Sequence, residues 1–457
     1  MIMLKLYFYG GGQEVTGANY LLENKISGRE TKILIDCGMF QGSKDREKKN
    51  NVLFEYNLET IDALIVTHAH MDHIGRIPIL VKNGFKGEIF STPATRELAK
   101  LMLEDALAIL QHEAAYDGTE APYEEKDIES AISKWKGLEY YEKLAVGDFA
   151  IILKDAGHIL GSSVVEIYAE GKKTVFTGDL GNSPAPLLRK TDDVEGADFL
   201  IIESTYGDRE HEERADRKLK LERTIEDTVS AGGALLIPAF SLERTQELLF
   251  EINELVEHIR IPQVPIFLDS PLAIKATTIY KHYENYYNKE AKYIINSGDD
   301  VFKFPGLKFT ESAQESKAIN SIPSPKIIIA GSGMSNGGRI IHHEKLYLRD
   351  KKNTLLIAGY QAVNSLGRRL QDGAKSINIL GEEVSIKAKI VSLSGYSAHA
   401  DINGLMAFVE KNSETLKQVF VVQGEPKASL SFVQKIRDNF NINAISPQNG
   451  DSVILVP

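Results

Sequence analysis

A chain of 457 residues exceeds one typical domain, so two domains, or one interrupted by another, is the starting expectation. Its 53 Lys+Arg against 64 Asp+Glu leave a formal charge of -11, so a polyanionic ligand would need a local basic groove or metal charge to overcome the overall field. The single cysteine, Cys37, excludes an intramolecular disulfide and fits a reducing, cytoplasmic setting, and no apolar run is long enough to span a bilayer.

The opening MIMLKLYFYGGGQEV reads as a strand running into glycines rather than as a secretion signal. Leu4 to Tyr9 and Asn19 to Glu23 look like paired strands around Gly10-Gly11-Gly12, and Lys32 to Ile35 is a further strand that ends at Asp36. A carboxylate in that place either caps the following loop or orients a ligand histidine from behind.

The short β-branched run Ala63 to Val66 then delivers Thr67-His68-Ala69-His70-Met71-Asp72-His73 to the end of a buried strand, with Gly75 and Pro78 punctuating the chain just beyond it. Imidazole and carboxylate donors at this density suit zinc or a similar first-row divalent ion. His68 and His70 can converge on one ion while Asp72 and His73 turn toward a second. Pro93 to Ala115 has helical periodicity and Asp127 to Leu144 a weaker version of it; both are expected to be scaffold helices. Two more strand-end residues supply what a two-metal centre lacks: His158 in LKDAGHILG can complete the first ion's set, and Asp179 in TVFTGDLGN can bridge both.

Beyond Ala197 to Thr205, a strand that presents Glu203, the texture changes. Four strand-then-helix units come next, ALLIP, VPIFLDS, KIIIAGSGMS and TLLIAGYQ each opening a helical stretch, which implies a parallel α/β sheet of its own. The glycine-rich turn at 331–339 is either an ordinary strand-to-helix turn or a place where backbone N–H groups, Ser332 and Gly333 included, meet phosphate oxygens. Arg339, Arg244 and Arg368 are the accompanying candidate substrate contacts. After about residue 376 the strand texture returns, delivering His399 in SGYSAHAD and then Gln423 after the strand Gln418 to Val422.

Asp36, the His68/His70/Asp72/His73 cluster, His158 and Asp179, in that order, resemble the motifs of the metallo-β-lactamase superfamily. Glu203, the inserted α/β units and His399 narrow the resemblance to its β-CASP subgroup of RNA-processing nucleases, which includes bacterial and archaeal ribonucleases and the endonuclease subunit of the cleavage and polyadenylation specificity factor. The resemblance implies an α/β architecture in which an αββα sandwich, residues 1–207 and 377–457, is interrupted by a parallel-sheet β-CASP domain, residues 208–376, with the active site in a cleft between them. It implies that His68, His70 and His158 hold a first Zn²⁺, that Asp72 and His73 hold a second, that Asp179 bridges, and that Asp36 supports the ligands. Where the family has a histidine in a strand-end VHGE-like stretch, this chain has Val422-Gln423-Gly424-Glu425, and glutamine is a weaker donor for zinc. The second ion is therefore expected to bind less tightly or to be another divalent metal such as Mn²⁺.

The function implied is that of a zinc-dependent hydrolase acting on RNA phosphodiester bonds. A metal-activated water attacks, Asp72 and Asp179 belong to the reacting centre, and His399, oriented by Glu203, protonates the leaving oxygen. The chain stops soon after the Gln423 helix, which points to internal cleavage, and a homodimer is a candidate assembly. The rival reading is a catalytically quiet RNA-binding or assembly subunit on the same fold, with its second metal site weakened by Gln423.

Overall fold

A computed structural model describes residues 2–42, 46–212, 214–362 and 364–456. The chain divides into two compact units: residues 1–185, 189–210 and 399–457 form the first, and residues 186–188 and 211–398 the second.

The first unit is an αββα sandwich built on two seven-stranded sheets. In spatial order one sheet is Ser452–Val456, Ile2–Gly10, Asn19–Ile26, Arg29–Ile35, Ala63–Ile65, Glu88–Ser91 and Trp135–Gly137. The other is Ala444–Ile445, Gln418–Val422, Phe199–Glu203, Lys172–Phe176, Ser163–Ala169, Phe149–Asp155 and Lys143–Val146. The two-residue period of a strand decides what goes where. Leu6, Phe8, Ile33, Ile35 and Ile65 of one sheet meet Phe149, Ile151, Leu153, Phe199, Ile201 and Phe420 of the other in a shared core. The alternate residues Leu200, Ile202, Val419 and Val421 face the opposite way, onto Leu405 and Val409 of helix Ile402–Glu410 and Phe432 and Ile436 of helix Pro426–Phe440. Each fully buried aliphatic or aromatic side chain of this kind is worth roughly 1.5–3 kcal/mol.

The helix Pro93–Asp117 starts where Thr92 accepts a hydrogen bond from the Thr95 N–H with proline in the first turn, and it stops at Gly118, whose φ of 68° ends the helix in the left-handed conformation. The weak periodicity over 127–144 does not make one helix. Only Glu125–Ser133 is helical; Trp135–Gly137 then pairs with Glu88–Ser91, its indole N–H donating to Ser91 Oγ, and Lys143–Val146 joins the second sheet. Burial of Trp135 at a sheet edge outweighs the weak helical pattern.

The second unit carries a six-stranded parallel sheet in the order Leu307–Phe309, Ile266–Asp269, Lys326–Ala330, Ala234–Pro238, Thr354–Ala358 and Lys389–Leu393. The four strands expected from the strand-then-helix rhythm form its centre, and two short strands extend it at the edges. One of these moves a boundary. Lys389–Leu393 hydrogen-bonds in parallel to Thr354–Ala358, so the chain leaves this unit at 398 rather than at 376. Strand texture shows that a segment pairs, but not with which sheet.

Candidate metal centre

Most polar residues of the centre sit at the end of a strand or in the segment after one, and all belong to the first unit. Strand Ala63–Ile65 ends just before Thr67 and His68, His70 precedes the one-turn helix Met71–Ile74, and His73 lies within that helix. The approach of the neighbouring chain is close. A Cβ on Gly38 would lie 1.5 Å from the Asp72 carbonyl oxygen, and one on Gly178 would lie 2.7 Å from Thr67 Cβ, so both positions need glycine. His158 comes after Phe149–Asp155, its N–H donating to Ser162 Oγ; Asp179 comes after Lys172–Phe176; Glu203 ends Phe199–Glu203. His399 is tied in by a bridge to Gly181 and by the Ala400 N–H donating to the Leu180 carbonyl at 2.7 Å.

Four donors converge. His70 Nδ1 lies 3.1 Å from His68 Nε2 and 3.2 Å from His158 Nε2, while Asp179 Oδ2 lies 3.4 and 3.5 Å from those same two nitrogens. A tetrahedron with bonds of about 2.0–2.1 Å has edges of roughly 3.3 Å, so this set is spaced as ligands of one first-row divalent ion would be. Burial and the neighbouring imidazoles push His70 well below the ordinary histidine range, and burial together with His399 does the same to His158. Neutral rings with free lone pairs are what coordination needs.

The tautomers are set from behind. Asp36, at φ 58° and buried, accepts from Thr67 N (2.8 Å), Thr67 Oγ1 (2.8 Å) and His73 Nδ1 (2.7 Å). Having donated to Asp36, the Thr67 hydroxyl accepts from His68 Nδ1 at 3.0 Å, which leaves the His68 Nε2 lone pair pointing into the cluster. Asp36 thus has the orienting contacts rather than the loop-capping ones.

His73, Asp72, Asp179 and Gln423 form a second, looser group. His73 Nε2 is 3.4 Å from Asp179 Oδ1 but 3.9 Å from Asp72 Oδ2, and the Gln423 amide nitrogen lies 2.7 Å from His73 Nε2 and 3.3 Å from Asp179 Oδ1. Against its burial, Asp179 and Asp36 hold His73 well above the ordinary histidine range; burial raises Asp72. On the other flank His399 Nδ1 lies 3.2 and 3.1 Å from the two oxygens of the fully buried Glu203 carboxylate. Burial opposes charge on that ring, but Glu203 and then Asp179 outweigh it and raise its pKa to about 9. The His399 side chain keeps 22% of its exposure.

Two residues of the centre carried no readable signal. Thr67 is one more β-branched residue at a strand's end. Tyr20 has a buried hydroxyl with no partner among the described residues, pushed well above the ordinary range by burial and by the carboxylates Asp36, Asp179 and Asp72. Nothing in their spacing separates them from strand residues at large.

The five candidate substrate contacts belong to the second unit. Arg244 is buried, its guanidinium held by Glu247 and lying over the Tyr396 ring. Arg339 donates to Asp269 Oδ1 (2.7 Å) and to the carbonyls of Thr310 (2.9 Å) and Glu311 (2.7 Å). These two arginines are internal braces rather than free cations. Arg368 is exposed and pairs with Asp372 one turn on; Ser332 Oγ accepts from Asn336 N and the Gly333 carbonyl from Gln361, so the turn's polar groups are partly used within it.

Three family models match the chain: the metallo-beta-lactamase superfamily over residues 14–223, the Beta-Casp domain over 245–370, and a Zn-dependent metallo-hydrolase RNA specificity domain over 383–447. Among curated proteins it is similar to Ribonuclease TTHA0252 of Thermus thermophilus, 36% identical over 94% of this chain and 95% of that protein. An RNase J-like protein of Methanocaldococcus jannaschii is 34% identical over 98% of this chain and 99% of its own length. The transcription termination factor FttA of Methanosarcina mazei is 32% identical over 98% of this chain and 71% of that factor. A crystal structure of a protein of unknown function from Enterococcus faecalis superposes with a TM-score of 0.57 at 12% identity, covering 99% of this chain and 100% of that one, a likeness of fold.

Proposed function

Because the chain belongs to the Beta-Casp branch of the metallo-beta-lactamase superfamily, we propose that it is a divalent-metal-dependent ribonuclease that hydrolyses RNA phosphodiester bonds. The observation that carries this is the juxtaposition of the His68, His70, His158 and Asp179 donor set with the Glu203–His399 pair.

The donor set would hold the ion, and three imidazoles with one carboxylate suit zinc above the harder cations. When bound, the ion supplies Lewis acidity and lowers the pKa of water at neutral pH. The remaining work falls to this chain's residues. Asp36 and Thr67 fix the tautomer of His68, and Asp179 stays ionised among its histidines despite burial. His399, held protonated at neutral pH by Glu203 and partly exposed, is placed to give its proton to the departing oxygen. Glu203, wholly buried, positions and charges that imidazole without meeting substrate. No described helix is long and apolar enough to cross a membrane; the lone buried Cys37 and the RNA substrate support a cytoplasmic setting.

The test is cleavage of end-labelled RNA by chelated protein, then with Zn²⁺ or Mn²⁺ restored. Cleavage is expected only with metal, and His399→Ala should lower turnover by about 10²–10⁴-fold with metal content unchanged. Absence of cleavage with either ion would favour a non-catalytic RNA-binding subunit, and full turnover by the variant would remove His399 from the reaction. Fragments from an RNA labelled at both ends distinguish internal cleavage from stepwise trimming.

A further inference from the structure

The second group around His73 is already closed by a side chain of the protein. We propose that this centre takes a single divalent ion, in the His68, His70, His158 and Asp179 set, and that the Gln423 amide fills the second position as a fixed hydrogen-bonded replacement for a cation. The inference rests on the metal-centre reading above and specifies its stoichiometry.

The argument is one of lone pairs. An imidazole nitrogen has one, and His73 Nδ1 is already engaged with Asp36 at 2.7 Å, so His73 could bind an ion only through Nε2. That atom lies 2.7 Å from the Gln423 amide. A neutral ring spends its Nε2 lone pair on the amide N–H, and a charged ring has no lone pair there, so coordination is excluded in both. The same amide nitrogen lies 3.3 Å from Asp179 Oδ1, the carboxylate oxygen turned away from the first set. Asp72 does not offset the loss, since Oδ2 stands 3.9 Å from His73 Nε2, and among the described residues the convergent metal-type groups omit both Asp72 and His73.

Gln423 is also held in place. Its φ is 47°, its N–H donates to the Gly11 carbonyl at 2.7 Å, its own carbonyl accepts from Ser204 N at 3.3 Å and Thr205 Oγ1 at 3.2 Å, and it is buried. A methyl on Gly11 would already touch its Cγ at 3.2 Å. A side chain fixed at both ends does not swing aside to admit an ion.

The experiment is metal analysis of the full chain. Chelated wild-type protein and the variants Gln423→His and Gln423→Glu are loaded with Zn²⁺ or Mn²⁺, desalted, and read by elemental analysis and native mass spectrometry; the Mn²⁺ forms are also read by electron paramagnetic resonance. The expectation is one ion per wild-type chain with an uncoupled Mn²⁺ spectrum, and two per chain with a spin-coupled spectrum in whichever variant folds. Two retained ions in the wild type, or one in both folded variants, would overturn the proposal. Zero ions in the wild type would overturn the metal-centre reading beneath it, and RNA cleavage, assayed separately, leaves the ion count unaffected.

Discussion

Replacing Thr67 with valine changes almost no volume and removes one hydroxyl, which isolates the relay from Asp36 to His68. The hydroxyl donates to Asp36 Oδ2 at 2.8 Å and accepts from His68 Nδ1 at 3.0 Å. Asp36 keeps two of its three bonds, from Thr67 N and His73 Nδ1, so its charge remains compensated. His68 does not fare as well: its ring is fully buried, and an Nδ1–H left without an acceptor costs about 1–3 kcal/mol. The ring escapes that cost by moving its proton to Nε2, the atom that faces His70 and Asp179, and it then ceases to be a ligand. Loss of such an orienting partner typically weakens metal binding by about 10–100-fold, or about 1.4–2.7 kcal/mol. Competition against a chromophoric chelator measures this, with urea unfolding of the apo forms as the stability control. Thr67→Ser should recover most of the affinity. If Thr67→Val held metal as tightly as wild type while His68→Ala did not, the hydroxyl would have no part in fixing the tautomer.

In the second unit, burial raises Glu344 from 4.5 to about 8, its one polar partner among the described residues being the Ser335 hydroxyl at 2.5 Å. Between those values the folded state binds a proton that the unfolded state does not, so stability falls as pH rises through the window, by about 1.4 kcal/mol per unit. Glu344→Gln should flatten that fall and gain on the order of a few kcal/mol near pH 8.5; parallel denaturation curves for the two proteins across the window would contradict this. Arg339→Ala removes one of the four side chains bonded to the buried Asp269, leaving His343, Thr310 and Ser316, and frees two carbonyls, a loss of about 1–3 kcal/mol in urea unfolding. A variant of unchanged stability that bound RNA less well would return Arg339 to the substrate contacts. The Cys37 thiol, buried and pushed up to about 12, should resist iodoacetamide at pH 8 in the folded protein and react promptly in denaturant.

What local chemistry alone could settle, the sequence settled. The alternation of histidine and aspartate from His68 to His73 is legible because a β-branched run before it and glycine and proline after it fix the place as a strand's end. His158 and Asp179 carry the same signature, and the four strand-then-helix units of the second domain are periodic enough to read directly. Other features depend on residues remote in the chain meeting in space. Lys389–Leu393 has ordinary strand composition, and only its pairing with Thr354–Ala358 assigned it to the second unit. Arg244 and Arg339 look like free cations until Glu247 and Asp269 are seen against them. Thr67 gains its role from Asp36, thirty-one positions earlier, and Gln423 from His73, 350 positions away. Sequence specifies which donors exist and roughly where each strand presents them. Which lone pair each donor has left to offer is decided by its hydrogen-bond partners, and those partners are chosen only when the two sheets pack.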